Sequence, residues 1–266
     1  TGNRAIYHEG WYARTIHRAP WEPKPRRPLT EDIWELYNTK EDFSLANDLA
    51  AQNPDKLKEL QELFMKEAEK NHVLPIDDRT MERIIAGNVN RPGIMGNRKS
   101  LTLAEGMIGM SENVFINIKN RPITLTADVQ IPAGTTANGI LIAQGGRFGG
   151  WALYVKDGVA AYDYNFLGMQ RFTVSSSAKL TPGKHTIKFD FAYDGGGIGK
   201  GGLGTFYIDG KKVGEGRIER TQPGIFSADE TADVGIDLAT PVVERIGSEA
   251  KSKFNGSIPK LVVEVK

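Results

Sequence analysis

Glycine is spread unevenly along this chain, and that unevenness restricts what it can fold into. Gly2, Gly10 and Gly87 precede Pro92, whereas 27 of the 30 glycines follow it. Glycine enters backbone conformations closed to other residues, so the glycine-dense part should be rich in tight turns between short elements. The shift places a domain boundary between Arg79 and Ser100. A chain of 266 residues has room for two modest domains or one large one.

The first region opens with Arg4-Ala5-Ile6-Tyr7-His8, an Glu9-Gly10 pair, and Trp11-Tyr12-Ala13-Arg14-Thr15-Ile16. Aromatic and β-branched residues flanking an X-Gly pair predict a β-hairpin. The prolines between Pro20 and Pro28 lack the donor a central strand needs, so that run is an extended connection. Alternation resumes at Ile33-Trp34-Glu35-Leu36-Tyr37, which should add a third strand. Asn53 followed by Pro54 fits a helix N-cap and first turn. Leu57, Leu60, Phe64 and Ala68 recur at helical spacing, which predicts a helix from Pro54 to Asn71 covering one face of the sheet. This region is read as residues 1–83, with residues 84–100 as a linker.

The second region, 101–266, carries a series of short strand signals. They fall at 124–131, 140–144, 150–155, 162–166, 170–175, 185–193, 205–208, 211–214, 234–238 and 257–265. Asp209-Gly210 between two of them is a strong hairpin signal. No βα repeat or fixed-period repeat competes. The expected fold class is therefore α+β, a small antiparallel sheet with one packed helix, followed by an all-β jelly-roll-like sandwich.

Composition removes several functions. The absence of cysteine excludes disulfides, thiolate metal sites and Cys nucleophiles. Lys and Arg total 34 against 33 Asp and Glu, a balance without the overall electrostatic footprint of a nucleic-acid or anionic-membrane binder, although local patches remain open. No apolar run is long enough to span a membrane, and no segment resembles a signal peptide. The chain begins at Thr1, inside a strand-like stretch, which suggests truncation, processing or a cloned fragment.

Candidate chemistry is sparse. His8 and His17 lie near Glu9, Arg14, Arg18 and Lys24, a set able to orient an anionic substrate and exchange a proton, but equally a solvated sheet edge. His72 follows the helix and reads as a local cap, while His185 precedes a strand; neither has metal-ligand spacing. Asp77-Asp78 beside Arg79 suits a hard cation less well than a structural contact. Asp233, Asp237 and Glu244 form a weak calcium candidate. The run Gly195–Gly202 lacks the Lys-Ser/Thr of a phosphate loop and reads as a turn. Trp151, Tyr154, Tyr162, Tyr164, Phe166 and Phe172 offer rings for a sugar face, though alternation sends several inward. Asn255-Gly256-Ser257 matches a glycosylation acceptor or a turn. No catalytic or metal-ligating residue is assigned within the chain, and substrate-binding residues stay unassigned.

Gly2-Asn3-Arg4-Ala5-Ile6-Tyr7-His8-Glu9-Gly10-Trp11 with His17-Arg18-Ala19-Pro20-Trp21 resembles the carboxy-terminal subdomain of bacterial arylsulfatases. Trp34-Glu35-Leu36-Tyr37-Asn38, Asp48-Leu49-Ala50 and Val73-Leu74-Pro75-Ile76-Asp77-Asp78-Arg79 extend the resemblance over residues 2–83. It implies a missing amino-terminal α/β domain of the alkaline-phosphatase type that hydrolyses sulfate esters, with formylglycine and calcium in that domain and no cofactor here. The nucleophile context Cys/Ser-x-Pro-x-Arg does not occur in this chain. The second region resembles laminin-G or concanavalin-like sandwiches through Gly145-Gly146-Arg147-Phe148-Gly149-Gly150-Trp151, Tyr193-Asp194-Gly195-Gly196-Gly197, Tyr207-Ile208-Asp209-Gly210-Lys211 and Phe254-Asn255-Gly256-Ser257-Ile258. The resulting expectation is the carboxy-terminal part of a sulfuric ester hydrolase, periplasmic or extracellular if its parent is exported and otherwise cytoplasmic. The alternative is a carbohydrate- or protein-binding sandwich without enzymatic activity.

Overall fold

Glu9 and Gly10 both hold positive φ, 51° and 91°, and turn the chain tightly between β1 (Arg4–His8) and β2 (Trp11–Thr15). The computed structural model describes residues 2–19, 21–22, 24–79 and 94–266. The chain divides into two compact units, Thr1–Arg83 and Ile84–Lys266. In the first unit β2 also pairs with β3 (Glu35–Asn38), giving the antiparallel order β1-β2-β3. This third strand starts two residues later than the sequence pattern indicates, because Ile33 is exposed and Trp34 turns toward the helix, its ring 5.6 Å from that of Phe64.

The helix, α1 (Pro54–Lys70), lies against that sheet and buries Leu60 with Ala13 and Leu36. Pro54 occupies its first turn, where a missing N–H costs nothing. Asn53 precedes it but makes no side-chain cap, since its amide donates to the Leu49 carbonyl at 3.3 Å. At the other end the cap is Asn71, whose side chain donates to Glu67 O at 2.7 Å. His72 contributes its backbone N–H to Glu69 O and adopts a φ of 56°, so its imidazole is not the cap the sequence suggested.

The second unit is a two-sheet antiparallel sandwich. Alternation in β5 (Ile123–Ile131), β10 (Gly183–Tyr193), β11 (Lys200–Ile208), β12 (Lys211–Arg220) and β14 (Ser257–Val265), together with β4 (Ser100–Leu103), builds a six-stranded sheet in the order β12-β11-β10-β5-β14-β4. One face is apolar and one is polar, which is how a half-buried antiparallel sheet reads. β4 lies partly in the stretch expected as linker. The remainder of that linker, up to residue 93, lies outside the described residues. Of the glycine run, Gly195 to Gly199 form the β10–β11 turn, whereas Lys200, Gly201 and Gly202 already belong to β11.

The second sheet orders β13 (Ala232–Val234), β6 (Gly139–Gly146), β7 (Gly149–Lys156), β8 (Val159–Phe166) and β9 (Gln170–Lys179) as β13-β6-β7-β8-β9. Its inner face supplies Leu153, Val155 and a ring series in which Trp151 stacks on Tyr162 and Tyr162 on Phe189, with centroids 5.9 and 4.1 Å apart. A bulge between Ile140 and Ile142 turns both Leu141 and Ile142 inward. Its outer face is covered too. Val242 and Val243 pack on Ile140, Ala143, Ala152, Tyr154 and Ala161, and the small side chains of three of these let the covering segment lie close.

Phe189 is central and fully buried. Phe189→Ala should cost about 3–5 kcal/mol, whereas Phe148→Ala, at a surface position, should stay within about 0.5 kcal/mol. Urea unfolding of the whole chain distinguishes the two.

Candidate functional site

The polar face of the six-stranded sheet carries a groove of about 350 Å³ where β5, β10 and β14 meet. Alternation makes it. Ala127, Val129 and Ile187 point into the core, so Asp128, Gln130 and Thr186 point outward. Opposite Asp128 and Gln130, β14 breaks register between Ser257 and Lys260. Pro259 lies in this bulge, where it deprives no ladder of a donor, and its ring lines one side of the groove.

A hydrogen-bond chain fixes the groove's polar wall. Thr186 donates its hydroxyl to Asp128 Oδ1 at 2.8 Å and its backbone N–H to Asp209 Oδ1 at 2.9 Å. His185, which lies within β10, places Nδ1 2.7 Å from Asp209 Oδ2 and Nε2 3.0 Å from the Thr181 carbonyl. Both ring nitrogens are thus engaged, and the imidazole, on the Val129 side of β10, braces Asp209 from behind. The Thr186 N–H, and after it His185, hold the Asp209 carboxyl below the usual carboxylate range. Lys184 completes the lining. The result is a set of immobilised acceptors and donors, with no nucleophile set against a base.

The other candidates separate. His8 is exposed on β1 and lies 4.0 Å from the Glu9 carboxylate. His17 is 1% exposed, with Nδ1 2.9 Å from Asp32 and Nε2 3.4 Å from Asp78. Arg4 joins Asp32 at 2.9 Å, so His17 belongs to a buried charge cluster inaccessible to substrate. Asp77 accepts from the Arg79 backbone and guanidinium, a local structural contact. Asn255 uses both ends of its amide, accepting from Asn138 N–H and donating to Thr136 O, and so acts as a loop clasp.

Trp151, Tyr162 and Tyr164 are buried between the sheets, Phe166 and Phe172 pack against that core, and Tyr154 is buried on the outer face, so none of the buried rings is open to a sugar. Glu244 does not approach Asp233 and Asp237 as a ligand set. It pairs instead with Arg147 at 2.8 Å and Arg171 at 3.7 Å. Asp233 accepts from Gly109 N–H at 2.7 Å. Among the described residues no group of three or more His, Asp or Glu is placed to hold a metal ion. No helix among them is long and apolar enough to cross a membrane.

The groove residues were legible only as the polar positions of alternating strands, a pattern that also describes any solvated sheet face. The bulge that makes them concave has no signal beyond Pro259. Phe148 gave a clearer one, since it is a bulky ring between Gly145-Gly146 and Gly149-Gly150.

No family model matches the chain. No curated protein matches it either. Solved structures do show similarity. One is the CBM40 of the Ruminococcus gnavus IT-sialidase bound to α2,3-sialyllactose, at 14% identity over 63% of this chain and 89% of that one, with a TM-score of 0.41. Another is the NanB sialidase from Streptococcus pneumoniae, at 13% identity over 61% of this chain and 26% of that one, with a TM-score of 0.43. The LG4-5 domains of the mouse laminin α1 chain match at 16% identity over 63% of this chain and 39% of theirs, with a TM-score of 0.36. At these identities and scores they assign no activity or ligand to this chain.

These findings overturn the arylsulfatase expectation. The resemblance over residues 2–83 has no family model or curated relative behind it. The sulfuric ester hydrolase reading and its missing sulfatase domain are therefore withdrawn. The architecture is a small antiparallel sheet with a packed helix, followed by an antiparallel jelly-roll-like sandwich.

Two buried carboxyls lie under the covering segment. Burial pushes Asp237 up to about 8, helped by Asp233, Glu230 and Glu249 and opposed by the Val242 N–H. Burial likewise raises Asp163 to about 6, against the pull of Thr173 and Arg171. Unfolded, each loses its proton near pH 4. The native state therefore holds more protons between about pH 4 and 8, and stability should fall as pH rises through that window. Asp237→Asn should flatten the decline by a few kcal/mol, on the order of the Asp237 shift. Chemical denaturation of both proteins between pH 4 and 9 measures the difference.

Proposed function

We propose that the sandwich is a non-catalytic carbohydrate-binding module that takes a saccharide in the groove between β5, β10 and β14. The observation that carries this reading is the immobilised polar wall of Asp128, Thr186 and Asp209, the last braced by His185, facing the apolar ring of Pro259. A sugar presents hydroxyls around its edge and C–H groups on its faces. Fixed carboxylates accept from the hydroxyls without paying to be ordered, Lys184 and Gln130 supply donors, and the proline ring meets a C–H face. Concavity matters because several such bonds must converge on one small ligand.

The chemistry also disfavours turnover in this groove. His185 is tied at both nitrogens and the Thr186 hydroxyl is already donated, so neither is poised for proton exchange with a bound substrate. Asp209 remains ionised, suited to accepting hydrogen bonds rather than to acting as an acid.

A glycan array probed with the whole chain, followed by calorimetry on the best ligand, tests the proposal. Saturable binding is expected. Asp128→Ala should weaken it roughly tenfold or more, the scale of a lost charge-assisted hydrogen bond. Absence of any saccharide ligand, or affinity indifferent to Asp128, would overturn it. Saturable binding of a protein at the groove in place of a sugar would overturn it as well.

A further inference from the structure

The β6–β7 and β8–β9 hairpins end side by side and hold large apolar side chains in solvent. Phe148 is 75% exposed, Met169 70% and Leu167 41%. A Cβ added at Gly168 would meet Arg147 O at 3.1 Å and Phe148 Cα at 3.7 Å, so the two tips touch. Their positions are fixed from beneath by Asn165, which is fully buried. It donates to Gly146 O at 2.7 Å and Arg147 O at 2.8 Å, and accepts from Gly168 N–H at 3.0 Å. Folding has spent a buried amide on holding apolar groups outward.

Cationic groups surround the tips. Arg147 adjoins Phe148, Arg171 pairs with Asn165 across the β8–β9 ladder, and Arg220 lies over the Phe166 ring at 5.6 Å. Glu244 faces Arg147 and Arg171, and Glu230 also acts on Arg147 while held by Thr240. Asp163 also faces Arg171 but is paired by Arg245 at 3.4 Å, so four guanidinium groups stand against three carboxylates, one of which, Glu230, is engaged behind the tip. The chain as a whole carries a formal charge of +1, so this excess is local.

Protruding apolar tips ringed by arginine do not form the concavity a small ligand needs. They match a soft, planar, negatively charged surface with an apolar interior. We infer that the paired tips form a peripheral docking site for an anionic phospholipid bilayer. Phe148, Met169 and Leu167 enter the region between headgroups and acyl chains, while Arg147, Arg171 and Arg220 pair with phosphate and carboxylate headgroups. Binding strength then scales with the buried apolar area plus the electrostatic attraction, and the second part weakens with salt.

Co-sedimentation of the whole chain with vesicles of phosphatidylcholine, with or without phosphatidylserine, tests this site. Partition should favour the phosphatidylserine vesicles and fall as salt rises. Phe148→Ser/Met169→Ser should reduce it roughly tenfold or more, and Arg147→Gln/Arg171→Gln should remove most of the phosphatidylserine preference. Asp128→Ala should leave partition unchanged, which separates this site from the saccharide groove. Unchanged unfolding midpoints confirm that each variant folds, and a variant that does not is replaced by the single change Met169→Ser with the same expected direction. Failure of the wild-type chain to bind phosphatidylserine vesicles overturns the inference. So does binding indifferent to the tip substitutions, or a tip that captures a soluble protein and ignores vesicles.

Discussion

Burial of the five-stranded sheet on both faces is the constraint on which the rest of the sandwich depends. A sheet with one wet face alternates, whereas β6, β7 and β8 are buried almost throughout. The inner face can take Trp151, Tyr162 and Leu153 because the six-stranded sheet lies opposite. The outer face must accept a covering chain segment at close range, and alanines 143, 152 and 161 leave the space for it. A sheet enclosed in this way has little surface to offer a ligand. The open face of the other sheet and the hairpin ends are the surfaces left for the proposed binding.

Those two places have opposite shapes and therefore opposite chemistry. On the six-stranded sheet a bulge in β14 converts a flat polar face into a groove, and a Thr–Asp–His network stiffens it. At the hairpin ends the chain turns through glycine, and the side chain at the apex has nowhere to fold back. Phe148 stands at the apex just before Gly149 and Gly150, whose φ of 153° and 155° follow a backbone path that residues with a side chain rarely take. Concavity gathers directional bonds around one small polar molecule; convexity suits contact with something extended.

The fold class was legible because its causes are local. Alternation in residues 124–131 and 185–193, the turn at Asp209-Gly210 and the apolar stripe of α1 each act within a few residues. What the sequence concealed depends on distant partners. Nothing near Glu244 shows that it faces Arg147, 97 residues away, instead of Asp233. Alternation fixes that Tyr154 and Trp151 lie on opposite faces of β7, but nothing near Tyr154 shows that it lies beneath Arg245. The arylsulfatase resemblance failed for a related reason. A run of aromatic, glycine and charged residues over a hairpin and a helix describes a small supersecondary unit, and such units recur outside any one family.

The covering segment raises the question of what holds it in one register. Val242 and Val243 rest on Ile140, Tyr154 and three alanines, an apolar contact that is non-directional. The polar attachments are directional. Asp237 accepts from Val242 N–H and donates its own backbone N–H to the Ser252 hydroxyl; Thr240 accepts from Arg147 N–H; Glu249 accepts from Ala239 N–H. The Arg147–Thr240 bond reaches the β6–β7 turn and fails if the segment shifts by one residue, while the other three fix the segment's own loop. Burying Asp237 costs stability, and its raised proton affinity expresses that cost. The return is a fixed shape for the segment's loop, in which Thr240 and Glu244 meet Arg147 at the β6–β7 tip. The buried carboxyl and the exposed phenylalanine are thereby two ends of one mechanical arrangement, the first locating the segment and the second carried by the hairpin that the segment braces.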